Sequence, residues 1–495
     1  MRALFLLPIF LIPYIVFAQI QQPSRAEIEV SDYDENYQII PVGRYGVLTF
    51  TQSDQKPDKE NKKWLFTIYD NKFSQLWEKE LLINKHFYYR DHYFDKSSLY
   101  ILFGNYKEDE VKLIKLDLNS GTFEILKIDF LPRFSVYSFK VIDNSLYIDG
   151  RYKKDVVLGY INLDNRSFQL LPFEFKGTVN IESIDIDTLN NKVNVVFSNT
   201  IKKKSSILIR TYEGVNQVGQ IALETEGERL LSGKLTTIGD ERIVVGTYST
   251  NNTLSQGMYI SKLDKNGQQA FIKFYSFTHF KNFLNYLPEK RKEKLENKIS
   301  KKEAHGKEVA LNYNLLVHDL IKQDDEYIMV AEAYIATYRT ETRMVTSYVN
   351  NSPVTTMQTY TVFDGWLYTH ATICGFDENG TMKWDNSFEM GDFKTYSLRQ
   401  RIRVSPDKNK IMLVYGTANN IKTKVISGDQ VIDAKENSKL NTNYTDDNVK
   451  RTYLTDIEYW YDNFFIVYGF QKIKNTSNDN VKTKRRVFYF NKIAY

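Results

Sequence analysis

LYILFGNYKEDEVKLIKLDLNSGTFEIL, residues 99–126, holds an apolar run, a polar turn, a second strand-sized segment, and an Asp-containing turn that ends at Gly121 before a third segment. Its opening run, LYILFGNY (99–106), is apolar at consecutive positions, whereas a strand wetted on one face would alternate. Consecutive apolar residues mean that both faces are covered, as in a sheet stacked between two others. The same kind of run returns as YGVLTFT (45–51), LYIDGRY (146–152), VNVVFSN (193–199), RIVVGTY (242–248), YIMVAEAY (327–334), KIMLVYGT (410–417) and FFIVYGF (464–470). Turn-forming pairs precede most of them, among them Asp143-Asn144, Asn190-Asn191, Asp324-Asp325 and Asp462-Asn463.

A second signal keeps step with the first. Acidic residues mark a tight turn after each run at Asp70, Asp117, Asp164, Glu213, Asp264 and Asp377, and more weakly at Asp429, with separations of 47, 47, 49, 51, 113 and 52 residues. Gly121, Gly267 and Gly380 follow three of these acids, where a hairpin needs positive φ. A period near 47–50 with four strand-sized segments is that of a propeller blade. The expected fold is therefore all-β: a single β-propeller of about eight four-stranded blades, seven being the other count the spacing allows. The last unit, RRVFYFNKIAY (485–495), is one strand short, and AEIEV (26–30) is a spare strand at the other end. The N-terminal strand is expected to complete the last blade and close the ring, which removes exposed edges.

The strand–Asp-x-x-Gly-x-x-x-Trp pattern of GFDENGTMKW (375–384), met more loosely in YDNKFSQLW (69–77), resembles the quinoprotein-type repeat. That resemblance implies an eight-bladed exported propeller of the kind found in bacterial envelopes, including a lipoprotein that assists outer-membrane protein assembly. The lipid-bearing Cys of that lipoprotein has no counterpart near the N-terminus, and the family's cofactor residues have none either. No quinone, metal or other cofactor is carried over.

Two insertions fall in the sixth unit. In the first, about 278–312, Phe280, Phe283, Leu284 and Leu287 have helical spacing, and Pro288 opens a second helical stretch that stops at Gly306. This stripe either packs on the propeller's own rim or forms an arm for a partner, so its four apolar residues are the candidate partner surface. The second insertion, about 339–365, alternates Thr, Val and Tyr around Asn350-Asn351 and reads as a projecting β-hairpin.

Residues 1–18 begin with Arg2 and an uncharged apolar stretch, and end on Val16 and Ala18, as a cleaved signal peptide would. An uncleaved anchor is the alternative. The remaining 19–495 form the propeller, and no later segment is long enough to span a membrane once the signal is removed. One cysteine, Cys374, excludes an internal disulfide, and a net charge of +5 with interspersed signs does not point to nucleic acid.

No catalytic set is legible. The six histidines are scattered, and no phosphate loop or nucleophile elbow is present. Charged residues do cluster on the strand before each apolar run, and His318, Asp319, Arg401 and Asp456 are the candidate lining of a charged channel. The expected function is a non-enzymatic scaffold for protein–protein interaction in the bacterial envelope, periplasmic or surface-associated. The alternatives are a carbohydrate-active or lyase-type enzyme, or a small-ligand binder, with its site at the channel.

Overall fold

The computed structural model describes residues 21–31, 37–53, 58–95, 98–105, 110–129, 133–171, 173–251, 253–307, 309–350, 352–417, 420–478 and 481–494. The leader expected at 1–18 lies outside them. Eight antiparallel sheets follow one another along the chain, at 38–84, 87–129, 134–171, 178–222, 229–276, 314–395, 403–438 and 448–494. They are numbered here as blades one to eight. Each is a four-stranded meander, although the innermost strand of blade six is broken into Asn314–Val317 and Ile321–Gln323. Blade eight has three strands of its own, and Gln21–Glu29 pairs antiparallel with Lys484–Ala494 as the fourth.

The consecutive apolar runs are the second strands of the blades, and their side chains divide between two neighbours. Val195 and Phe197 pack toward blade three, while Val196 packs toward blade five. In blade six Met329 and Ala331 face blade five, and Ile328 and Val330 face blade seven. Such clusters join every consecutive pair of blades. A further one sets Ile466, Phe488 and Phe490 of blade eight against Ile39, Val47 and Phe73 of blade one. The ring is closed. No isolated sheet could cover both faces of such strands, so blade stacking supplies the core.

The recurring acid holds the turn between the third and fourth strands. Asp264 Oδ1 accepts the amides of Asn266 and Gln268, both at 2.8 Å, and Asp377 Oδ1 accepts those of Asn379 and Thr381. In blade three Asp164 lies in the turn as expected, and the amide acceptor is Asn162, to which the Asp164 and Asn165 amides donate. The Trp of the motif lies on the outermost strand and docks on the next blade's turn. Trp77 Nε1 donates to Leu118 O at 3.0 Å, with its ring over Gly121, and Trp384 lies over Gly428.

The first insertion departs from expectation. Phe280, Phe283 and Leu284 are not on a helix; they follow the short 3-10 turn Phe277–His279 in irregular backbone and are buried between blades five and six, with Leu287 packed against them. They are core, not a partner surface. Aromatic packing decides this: Phe283 stacks on Phe277 at 4.4 Å and meets Tyr313 edge-on, while Asp385 accepts the Lys281 and Asn282 amides and ties the segment to the outermost strand of blade six. The helix Glu289–Ala304 does form, with Ile299 against the same core. It ends at Gly306 (φ 66°), where Gly306 and Lys307 amides return to Glu303 and Lys302 carbonyls in a Schellman closure. Among the described residues no helix is long and apolar enough to cross a membrane.

Candidate functional site

The first strands of the blades lie beside one another around the axis, and five of them, in blades two, three, four, five and eight, carry a register shift. A bulge there raises the local twist and re-aims the side chains that follow. Charged groups from neighbouring blades meet on or beside these strands. Arg403 makes a two-pronged pair with Glu458 (2.9 and 3.0 Å), Arg399 pairs with Asp456, Lys234 pairs with Asp319 (2.6 Å), and Asp185 accepts both the amide and hydroxyl of Thr237. The Asp319 side chain is 80% exposed, yet Lys234, Lys140 and His318, from three blades, all act on it. Protein of several blades thus surrounds the Asp319 carboxyl while it stays open to solvent. Although burial alone would raise it, the cations hold the Asp319 carboxyl below its ordinary value.

Blade six contributes the most constructed part of this axis. The break in its first strand falls at His318, Asp319 and Leu320. His318 Nε2 lies 2.7 Å from Glu332 Oε1, and that fully buried carboxylate also accepts the Arg401 and Ile402 amides of blade seven at 2.8 to 3.0 Å. A carboxylate so placed fixes the orientation and tautomer of the ring. Asp456 thus sits on an inner strand, and His318 and Asp319 in the break of another. Arg401 departs from the expectation: its guanidinium lies 5.3 Å above the Phe393 ring and donates to Thr395 and Ser397, and only its main-chain N–H joins the Glu332 cluster.

Elsewhere on the inner strands, burial lifts the Asp91 carboxyl to about 6 and drops the His92 imidazole to about 4. Burial, assisted by Glu182 of the next blade, lifts Asp149 to about 7. Lys140, Asp149, Lys234 and Glu332 were missed in the sequence reading. Two of them left a signal, Glu332 and Asp149, as acids inside the apolar runs YIMVAEAY and LYIDGRY.

The other distinctive feature of blade six is its long hairpin, Glu326–Val349 and Ser352–Phe376. The flanking strands end early: Asn314 pairs at Tyr334, and the outermost strand stops at Thr395 opposite Trp366. Beyond a bulge at Thr337/Tyr338 the hairpin continues as a two-stranded ribbon of twelve cross-strand pairs, from Tyr338 opposite Phe363 to Val349 opposite Ser352. At the bulge Gly365 has φ 104°, a conformation that disfavours a side chain, and Asp364 grips Lys394 and the Tyr396 hydroxyl. The ribbon is about 40 Å long at ~3.3 Å per residue. One face presents Tyr338, Thr340, Thr342, Met344, Thr346 and Tyr348 beside Phe363, Thr361, Thr359, Met357, Thr355 and Pro353. Met344, Tyr348 and Met357 are 73%, 75% and 72% exposed. From Met344 to Phe363 there is no charged residue, in a chain that is 26% charged.

No protein-family profile and no curated protein matches the chain. Among solved structures it is similar to a polysaccharide lyase (9% identity, 95% of this chain and 99% of that one, TM-score 0.40). It is also similar to a prolyl endopeptidase (9%, 88% and 55%, 0.41) and to the hydrazine synthase of Kuenenia stuttgartiensis (9%, 67% and 74%, 0.34). At these scores the likenesses assign neither family nor activity.

Proposed function

We propose that this chain is an exported, non-enzymatic propeller that serves as a protein-interaction scaffold in the bacterial cell envelope, with the blade-six ribbon as its contact arm. The exposed, uncharged outer part of the ribbon carries this reading. A two-stranded hairpin is marginally stable in water without a covering layer, and exposed strands usually carry charges that discourage pairing. This one is long, lacks those charges over its outer part, and is held at its base by a rigid ring. The axial cations, by contrast, largely face acids of neighbouring blades, which leaves little excess charge to recruit a ligand. The apolar leader and the resemblance of the Asp-x-x-Gly-x-x-x-Trp repeat to that of quinoprotein-type envelope propellers support export and location.

The test is photo-crosslinking in intact cells, with the reactive side chain placed at Met344 or, as control, at Lys115 in blade two. Protein adducts specific to Met344 are expected. Equal or absent labelling at the two positions would refute the contact arm, and a mature protein that does not begin near Gln19 would refute cleavage of the leader.

A second reading keeps chemistry at the axis, because Glu332 orients His318 as a carboxylate orients a general base. Glycan turnover abolished by His318→Ala or Asp456→Ala would favour it. Ligand-dependent thermal stabilisation without turnover would favour simple binding instead.

A further inference from the structure

We infer that the ribbon pairs edge to edge with the ribbon of a second copy of this chain, the strands 352–362 of the two copies meeting antiparallel about a two-fold axis at Met357. This rests on the contact-arm reading above and names the partner. The inner edge of that strand is occupied by residues 339–349, while among the described residues no strand lies beside its outer edge beyond Trp366, where the outermost strand of the blade stops. Each copy therefore offers a row of backbone donors and acceptors without a described strand beside it, the template on which another strand adds.

The sequence of that edge, SPVTTMQTYTV, suits self-pairing. A two-fold at Met357 sets Val354 opposite Tyr360, Thr355 opposite Thr359 and Thr356 opposite Gln358 of the other copy, with Met357 opposite itself. Threonine pairs and β-branched–aromatic pairs are favourable across strands, and like charges opposite one another are not. This register contains no charge at all, so symmetry brings no repulsion. A heterologous partner would need an equally uncharged edge, whereas a second copy supplies one by construction. Pro353 lies near the end of the register, where a missing N–H costs least. A twofold contact at this edge is closed, so pairing through it stops at two chains.

The ribbon is absent from the catalytic alternatives and from every buried cluster between blades, so variants on it can be made without disturbing the ring. Sedimentation of the full mature chain at rising concentration is expected to show monomer converting to dimer. In the double variant Thr355→Lys/Thr359→Lys, equal charges face each other twice across the junction, and the dimer should weaken about tenfold or more. Its thermal unfolding should be unchanged. Thr355→Glu/Thr359→Glu should likewise be monomeric, and mixing the two variants should restore association because opposite charges then meet.

Met357→Cys gives a second readout. At a two-fold axis the two sulfurs fall within disulfide reach, and the only native cysteine, Cys374, is buried and stays silent. Mild oxidation should yield a covalent dimer, and oxidation of Lys115→Cys should not. A chain that remains monomeric at all concentrations, or a lysine variant that dimerises as the parent does, would overturn the proposal. If Met344 crosslinks in cells to a different protein while the purified chain is monomeric, self-pairing fails and the contact-arm reading survives. If neither forms, both fail.

Discussion

Glu332 interrupts the apolar run of blade six, and its environment explains how it is tolerated. A buried carboxylate is costly unless its lone pairs are filled, and here two amides and an imidazole fill them. Glu332→Ala would leave those donors unpaired at the junction of blades six and seven, with an expected loss of about 3 kcal/mol in urea unfolding. Glu332→Gln, which keeps an acceptor, should lose less. Asp149 gives a pH prediction with the opposite sign from a salt-bridged acid. Burial and the Glu182 carboxylate raise it to about 7 in the folded chain, above an unfolded value near ~4. The native state therefore holds the proton more tightly, and this group withdraws stability as pH rises from about 4 to about 7. Asp149→Asn should accordingly raise the melting temperature at pH 8 and change it little at pH 4. An equal effect at both values would disprove the assignment.

At the scale of elements, the repeat motif is an inter-blade joint. Asp377 holds the turn, Gly380 supplies φ 71°, and Trp384 reaches from the outermost strand to the turn of blade seven around Gly428. Trp384→Ala should cost about 2–3 kcal/mol, below the range for a fully buried Trp because the ring is only half-buried. Chemical denaturation of the variant measures it. The motif was legible because turn chemistry is local and depends on residue type at fixed offsets. The stripe at 280–287 misled for the complementary reason. A period of 3.6 reports apolar spacing, and four apolar residues in irregular backbone can fill a cleft between blades equally well, once Asp385 is there to accept the amides that a helix would have bonded internally.

At the scale of the molecule, the ring depends on its last joint. Gln21–Glu29 closes blade eight, and there Arg25, Glu27, Asp447 and Arg485 form a buried ionic cluster with side-chain exposures between 0% and 6%. Such a cluster adds little net stability when whole, but removal of one member leaves charge buried without its partner. Arg485→Ala should cost about 3–5 kcal/mol by this mechanism. Deletion of 21–29 should cost more, because it also bares the edge of Lys484–Ala494; an early melting transition with aggregation is the expected outcome. A deletion variant that melts with the parent would show that the ring does not need its latch.

The amino-acid sequence alone determined the all-β class, the period, the closure by an N-terminal strand and the two interruptions of blade six, because each is written in spacing along the chain. Tertiary structure decided the number of blades, the burial of Phe280, Phe283 and Leu284, and which acids and bases meet on the axis. Those facts are juxtapositions of residues such as Lys234 with Asp319 and Glu332 with Ile402, separated by 70 residues or more, and local pattern carries no record of which distant strands come to face each other.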